Sequence, residues 1–549
     1  MKNLVFVIIF LFVATFGKCQ DKYWVYLIDK AQFNLEEIKK GFSEEGLLRR
    51  ATFSIEFDGK DIPVKAQYKN QLNQFNGVKV IGASKWFNAV VVVLEREEIK
   101  VQLEQLDFVK SVVKLKSAKN LKTINKNKLA TNFTLKQVSN IAEAFYGESY
   151  AQTNLINLIP LHTEGFFGGG IKIGVFDAGF FGADTLGCFE KLRNENRILG
   201  TFDLVDQDNT VYDKHTHGTY VLSCISAFQE GLLIGTAPEA SVYLFRTEDG
   251  ATETQIEEYN WVKAAEMADS LGIHIINSSL GYTLFDDSIE NHAYSDMDGN
   301  TTIITKGADI AASKGILVVN SAGNSGTQGW KFISAPADGD SVFSIGAVNP
   351  EGDVADFSSY GPSYDGRVKP NICGVGWETA VCSFDNKVAF LNGTSFSSPL
   401  TAGAMATLWS KYPMAHNMDL MKYVEQSADR YTNPDDRCGY GIPDFGSTSN
   451  ILSAIFPTLE AGKLSVYPNP SNGLINLNFT TDTQTAGQLN VFDIMGRLIF
   501  SNTFNARQGN NYNQFELLSL KSGIYHIRLE LGSEVLTQKL ILKSNFLSE

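Results

Sequence analysis

From Tyr23 to Val113 the chain alternates short apolar runs with charged, amphipathic stretches. Tyr23–Ile28 and Ala89–Leu94 are β-branched and aromatic and predict strands, while Glu97–Leu106 has helical spacing. A small α+β unit is expected here. Lys114 to Asn140 is rich in Lys, Asn and Thr without periodicity, which suits an exposed, cleavable linker. After about Ala144 the pattern becomes one of continuous apolar strands and helices. Ile171–Phe176 ends in Asp177, Ile273–Ile276 leads into Asn277-Ser278-Ser279-Leu280-Gly281, and Gly315–Val319 leads into Asn320-Ser321-Ala322-Gly323-Asn324. Ile303–Ser313 predicts a helix between the last two. Strands apolar on both faces belong to an open, parallel α/β sheet, whose site lies beyond the strands' carboxyl ends. From Gly462 to Lys543 alternation takes over, in Leu464–Tyr467, Leu474–Phe479, Gln488–Phe492, Gly523–Leu529 and Lys539–Leu542, and predicts a β-sandwich.

Met1-Lys2-Asn3, an apolar run from Leu4 to Ala14 and Gly17-Lys18-Cys19 have the layout of a secretory signal covering 1–19. The run falls short of the roughly 20 apolar residues that span a bilayer. Over 549 residues, 44% hydrophobic and 20% charged is an ordinary globular composition with room for several domains. The net charge of -14 argues against nucleic acid as a partner and gives no attraction to anionic membranes. Of the 6 cysteines, cleavage of the signal removes Cys19 and leaves Cys188, Cys224, Cys373, Cys382 and Cys438, an odd set. Cys373 and Cys382 are closest in sequence and are the expected bridge; five buried thiols are the alternative.

Gly393-Thr394-Ser395-Phe396-Ser397-Ser398-Pro399 sets a serine between a glycine turn and an apolar, helix-like run. Local rules start that helix near Ser398, with Pro399 in its first turn. A serine hydroxyl needs a base, a group that orients the base, and donors for the oxyanion. Among the 7 histidines, His217 precedes Gly218-Thr219 and the apolar Tyr220–Ile225, at a helix entrance. His215 remains a rival by position, and His274, inside an apolar strand, reads as a core histidine. Asp177 at a strand mouth suits the orienter, Asn324 suits an oxyanion donor, and Ser279-Leu280-Gly281 offer backbone groups to an extended peptide.

These segments, in the order Asp, His, Asn, Ser, resemble the subtilisin-like serine peptidases: Val175-Phe176-Asp177-Ala178-Gly179, His217-Gly218-Thr219, Ser279-Leu280-Gly281, Ser321-Ala322-Gly323-Asn324 and Gly393–Pro399. The resemblance implies a subtilisin-like, doubly wound parallel sheet over 141–457. It implies Asp177 as orienter, His217 as general base, Ser395 as nucleophile, Asn324 as oxyanion donor, and Ser279, Leu280 and Gly281 lining the substrate. Ala178 stands where the family often has Ser or Thr. The α+β unit, 20–140 with its linker, resembles the family's inhibitory propeptides. The segment 462–549 resembles the sorting domains of the Bacteroidetes type IX secretion system, through Val466-Tyr467-Pro468-Asn469-Pro470, Asp493-Ile494-Met495-Gly496-Arg497 and Ser522-Gly523-Ile524-Tyr525.

The expectation is therefore an exported serine endopeptidase, secreted or on the cell surface after passage through the periplasm. Its partners are protein or peptide substrates, its own propeptide and the type IX machinery. No cofactor is required for the chemistry. Calcium is left open as a stabilising ion, with Asp296-Met297-Asp298-Gly299-Asn300 and the group Asp203, Asp206, Asp208 and Asp213 as candidates. The rival readings are a catalytically silent, surface-displayed binding protein on the same scaffold, and an ester hydrolase using the same residues.

Overall fold

Seven parallel strands form the central sheet, in the order Ile372–Val375, Val342–Val348, Leu317–Ser321, Ile275–Ser278, Lys172–Asp177, Ser241–Arg246 and Ile198–Asp203. The computed structural model describes residues 21–115, 141–456 and 463–543, apart from 468, 472, 482, 507, 508 and 518. The expected signal at 1–19 lies outside these residues, as does the linker expected from Lys114 to Asn140 except for Lys114 and Leu115, which end the strand Val109–Leu115.

The strands are buried along almost their whole length because helices cover both faces, which is why they read as apolar runs rather than as alternations. From Lys172–Asp177 the chain builds outward to Ile198–Asp203, returns through Ser241–Arg246, and then crosses to build the other half from Ile275–Ser278. The winding direction reverses between Lys172–Asp177 and Ile275–Ser278, and a crevice at their carboxyl ends follows. Asp177 and Ser279 lie at those ends. Two helices complete the crevice: His217–Ser226 and Thr394–Lys411, which pack on each other, the second also crossing the strands from Ile275–Ser278 to Ile372–Val375.

The helix expected at Ile303–Ser313 forms over those residues, with the Thr302 hydroxyl capping the Thr305 amide. The helix expected at Glu97–Leu106 is shorter, Ile99–Leu103, because Gln105 and Leu106 close tight turns onto Gln102 and Leu103 instead. The Thr394–Lys411 helix starts four residues earlier than Ser398, so Ser395 stands in its first turn. Pro399 is then inside the helix, and its tolerance there has a tertiary cause described below.

The N-terminal unit is an antiparallel sheet in the order Val78–Ser84, Ala89–Leu94, Asp21–Leu27, Val109–Leu115. Tyr23, Val25 and Leu27 pack inward on Leu72, Ile99 and Leu103. Trp24 and Tyr26, on the opposite face by the two-residue period, meet Tyr259, Ile256 and Ile303 of the helices Ile256–Leu271 and Ile303–Ser313. Both faces are therefore covered, and all six residues of Ala89–Leu94 are buried. A second contact comes from the helix Glu44–Thr52 and Phe53, whose ring lies 5.8 Å from that of Trp409.

At the C-terminal end, a three-stranded sheet (Leu464–Tyr467, Leu474–Thr481, Gly509–Glu516) and a four-stranded one (Leu498–Ala506, Thr485–Asp493, Gly523–Leu531, Glu534–Leu542) share one apolar core. This is the expected antiparallel β-rich sandwich.

The five mature-chain cysteines divide differently from expectation. The bridge joins Cys188 to Cys382, leaving Cys224, Cys373 and Cys438 as buried thiols. Cys373 and Cys382 sit on different strands, Ile372–Val375 and Thr379–Cys382, and the second pairs with Val388–Leu391 instead of with the first.

Candidate active site

Asp177 is wholly buried, and both its carboxylate oxygens lie 2.9 Å from His217 Nδ1. The Ala178 amide also donates to Asp177 Oδ1 at 2.8 Å, so the carboxylate is fixed without help from a hydroxyl at position 178. Two glycines let these segments close: a Cβ on Gly218 would lie 2.4 Å from the Gly179 carbonyl oxygen and 2.9 Å from Asp177 Cβ. Gly179 itself has φ +147°, in the range that favours glycine. His215, the positional rival, instead accepts the His217 amide on its Nδ1 at 3.1 Å. His274 is a core histidine, as expected. Its Nδ1 accepts the Lys172 amide at 3.2 Å, and burial lowers its pKa to about 3.

Ser395 occupies the second position of its helix, where a backbone N–H has no intrahelical partner and the helix dipole favours negative charge. Its hydroxyl donates to the Ser279 carbonyl at 3.4 Å. Among the described residues it makes no hydrogen bond to His217, whose ring lies 6.0 Å from that of Phe396, the next residue along. Hydrogen bonds between nucleophile and base are commonly long without substrate and tighten when it binds.

Asn324 is exposed at the end of its strand loop, and its Oδ1 accepts both the Thr394 amide (2.8 Å) and the Thr394 hydroxyl (3.1 Å). The carboxamide oxygen is thus committed to donors, and the Nδ2 side is left to donate. A Cβ built on Gly393 would lie 3.6 Å from that Nδ2, which therefore stands beside the turn that presents Ser395.

Ser279 contributes more than backbone. Pro399 has no N–H, so the Ser395 carbonyl four residues earlier has no helical donor. Ser279 Oγ donates to it at 2.9 Å, and Asn277 Nδ2 in turn donates to Ser279 Oγ at 3.3 Å. Asn277 Oδ1 accepts from Ser398 Oγ at 3.0 Å. Leu280 is half-buried with its carbonyl taken by Asn320 Nδ2 (3.0 Å), and Gly281 is exposed. Thr394, Asn277 and Ser398 are the site residues that sequence reasoning missed; the proline inside the helix was the available signal.

In the two acidic groups considered for calcium, several carboxylates already have partners. Arg246 Nη1 binds Asp203 at 2.7 Å and Asp206 at 2.8 Å, and Lys214 lies 3.1 Å from Asp206. Asp298 accepts from the Asn300 amide and the Thr301 hydroxyl, and Asp296 from the Ala293 amide. A further group, Glu248, Glu253 and Glu257, brings carboxylate oxygens within 4.8 Å of one another. Burial, then the neighbouring Glu248 and Glu253, push the Glu257 carboxyl well above the usual carboxylate range.

A parallel α/β sheet with a serine at a helix entrance, a histidine fixed by a buried aspartate and a carboxamide beside the serine defines the serine hydrolases that work by acyl transfer. Residues 168–441 match the subtilase family (peptidase S8), residues 22–132 the peptidase S8 propeptide domain of Bacteroidota, and residues 465–543 the secretion system C-terminal sorting domain. The chain is 29% identical to the thermostable alkaline protease of Halalkalibacterium halodurans over 63% of its own length and 82% of that protein. It is 28% identical to subtilisin DY of Bacillus licheniformis (52% and 93%) and 29% identical to subtilisin E of Bacillus subtilis (53% and 70%). The chain belongs to the subtilase family and is a serine-type endopeptidase. Its sorting domain makes it a secreted or cell-surface protein.

Proposed function

We propose that the protein is an exported proenzyme that hydrolyses peptide bonds through Asp177, His217 and Ser395 by way of an acyl-enzyme. The observation that carries this reading is the grip of both Asp177 oxygens on His217 Nδ1, which sets the tautomer with Nε2 as the basic nitrogen. Ser395 Oγ leaves Ser279, gives its proton to His217 Nε2 and attacks the scissile carbonyl. Asn324 Nδ2 and the Ser395 N–H stabilise the oxyanion. His217 then protonates the departing amine, and water repeats the sequence on the acyl-enzyme. Ser279, Leu280 and Gly281 line the extended substrate.

The chemistry asks for no cofactor; a stabilising calcium at either acidic group would compete with the cations, amides and hydroxyl that engage it. The precursor is organised as a signal at 1–19, a propeptide at 20–140, a peptidase at 141–457 and a sorting domain at 462–549. The propeptide is the chain's own inhibitor, and the type IX machinery is its export partner. The test is casein cleavage and N-terminal maturation by the full chain and its Ser395→Ala variant. Wild type is expected to do both and the variant neither; equal activity in the two would overturn the assignment.

A further inference from the structure

Two buried thiols that the reaction does not use face each other at the edge of the central sheet. Cys373 lies in the edge strand Ile372–Val375, and the turn from Asp435 to Gly441 runs along that strand's open side. The Tyr440 amide donates to the Asn371 carbonyl at 2.8 Å, and the Cys373 amide to the Gly441 carbonyl at 2.9 Å. Within the turn, Asp435 Oδ1 accepts the amides of Arg437 and Cys438, each at 2.8 Å. Gly439, at φ +59°, is pressed so closely on the strand that a Cβ would come 1.9 Å from the Pro370 carbonyl oxygen. Cys373 and Cys438 are both wholly buried, share one small apolar cluster with Val348, and lie within hydrogen-bond reach of each other's sulfur.

We propose that Cys373 and Cys438 are joined as a second disulfide in the exported protein. The chain is delivered outside the cell, where thiols are not kept reduced. With Cys188–Cys382 already paired, this bond accounts for the odd number of mature-chain cysteines by leaving Cys224 alone. Cys224 lies in a different cluster, and its thiol donates to the Tyr220 carbonyl of its own helix.

The oxidant is a protein disulfide of the export compartment. One cysteine thiolate attacks it, expelling a donor thiolate and forming a mixed disulfide. The second cysteine's thiolate then attacks that bond, giving Cys373–Cys438 and the donor as a dithiol. Two electrons pass to the donor, and the two thiol protons end on its sulfurs. Because both sulfurs are inaccessible once the turn has closed, the bond forms during folding and then resists reductant. The bond encloses Ser395 and the whole Thr394–Lys411 helix in a covalent loop. It also fastens the strand that leads to Gly376, whose carbonyl accepts the Gly393 amide at 2.7 Å just before the nucleophile.

The experiment denatures the exported protein, freed of its signal, in an alkylating agent without reductant. One alkylated thiol per chain, at Cys224, is expected, together with a linked peptide pair carrying Cys373 and Cys438. Three alkylated thiols, or any linkage of Cys224, would overturn the proposal. Cys373→Ser and Cys438→Ser should each show two thiols and a Tm lower by at least about 5 °C. The wild-type thiol count decides the matter should those variants fail to fold.

Discussion

Asn324 is exposed, yet its carboxamide has a fixed orientation because two Thr394 donors hold its oxygen. Asn324→Ala should leave KM near its wild-type value and lower kcat about 10²–10³-fold, the loss known for the subtilisin asparagine in this role. Steady-state kinetics on a peptide substrate checks it, and a loss confined to KM would remove the oxyanion role. Away from the site, His162 is locked as a neutral ring. Its Nδ1 lies 2.6 Å from the Tyr146 hydroxyl and its Nε2 3.1 Å from the Thr236 carbonyl, which can only accept, so Nε2 carries the proton. Burial lowers its pKa to about 4 from the ordinary value near 6.5. The unfolded chain therefore takes up a proton first as pH falls. Stability should decline from about pH 6.5 toward pH 4, by about 3 kcal/mol from this residue, and level off below. In His162→Gln that part of the decline should disappear from denaturant melts; an unchanged profile would contradict the neutral-ring account.

The Thr394–Lys411 helix shows how one backbone irregularity ties a helix to a strand end. Pro399 withholds a donor from Ser395, and Ser279, just beyond its strand, supplies one. Ser279→Ala would leave that carbonyl buried and unsatisfied, costing about 1–3 kcal/mol. Stability should fall by that amount and kcat should fall more than KM changes, since the turn that presents Ser395 loosens, while Ser279→Thr should restore both. A thermal melt beside kinetics tests it; no change in either would mean the contact is incidental. The helix boundary is where local reading of the sequence fell short. Proline at a first turn is the local rule, but here a tertiary donor removes the cost of an interior proline, so the helix extends back to include Ser395. Ile303–Ser313, with an ordinary hydroxyl cap and no such outside donor, was fully legible.

On the scale of the whole molecule, the N-terminal unit holds to the peptidase through buried charges as well as an apolar sheet face. Arg50 Nη2 binds Asp61 at 2.6 Å and Asp269 at 2.5 Å, Arg49 Nη2 binds Asp269 at 2.7 Å, and Lys314 lies 3.1 Å from Asp61. Arg50→Met would take a cationic partner from each of two buried carboxylates, leaving Arg49 on Asp269 and Lys314 on Asp61, and should weaken the contact by less than the roughly 3–5 kcal/mol of a fully broken buried pair. After cleavage in the linker, the variant's N-terminal fragment should separate from the peptidase on size exclusion, while the wild-type fragments co-elute. Burial by itself would raise the Asp61 carboxyl, but Arg50, the Asp58 amide and Lys314 together bring it to about 2. A carboxyl held below its unfolded value of about 3.9 stabilises fully above that pH and loses its contribution as pH falls toward 2. The stability of the intact chain in denaturant melts should therefore fall between about pH 4 and pH 2, and a fall of the same size in Asp61→Asn would exclude Asp61 as an acid-sensitive anchor. The order of apolar runs was enough to determine the three architectures and the strand ends bearing Asp177, Ser279 and Asn324, because burial on one face or two writes its period directly into the chain. The contact of His217 with Asp177, the Cys188–Cys382 bridge and the Arg50–Asp269 anchor join residues far apart in sequence. Only the tertiary structure decided these, since their energies depend on distances that local pattern does not encode.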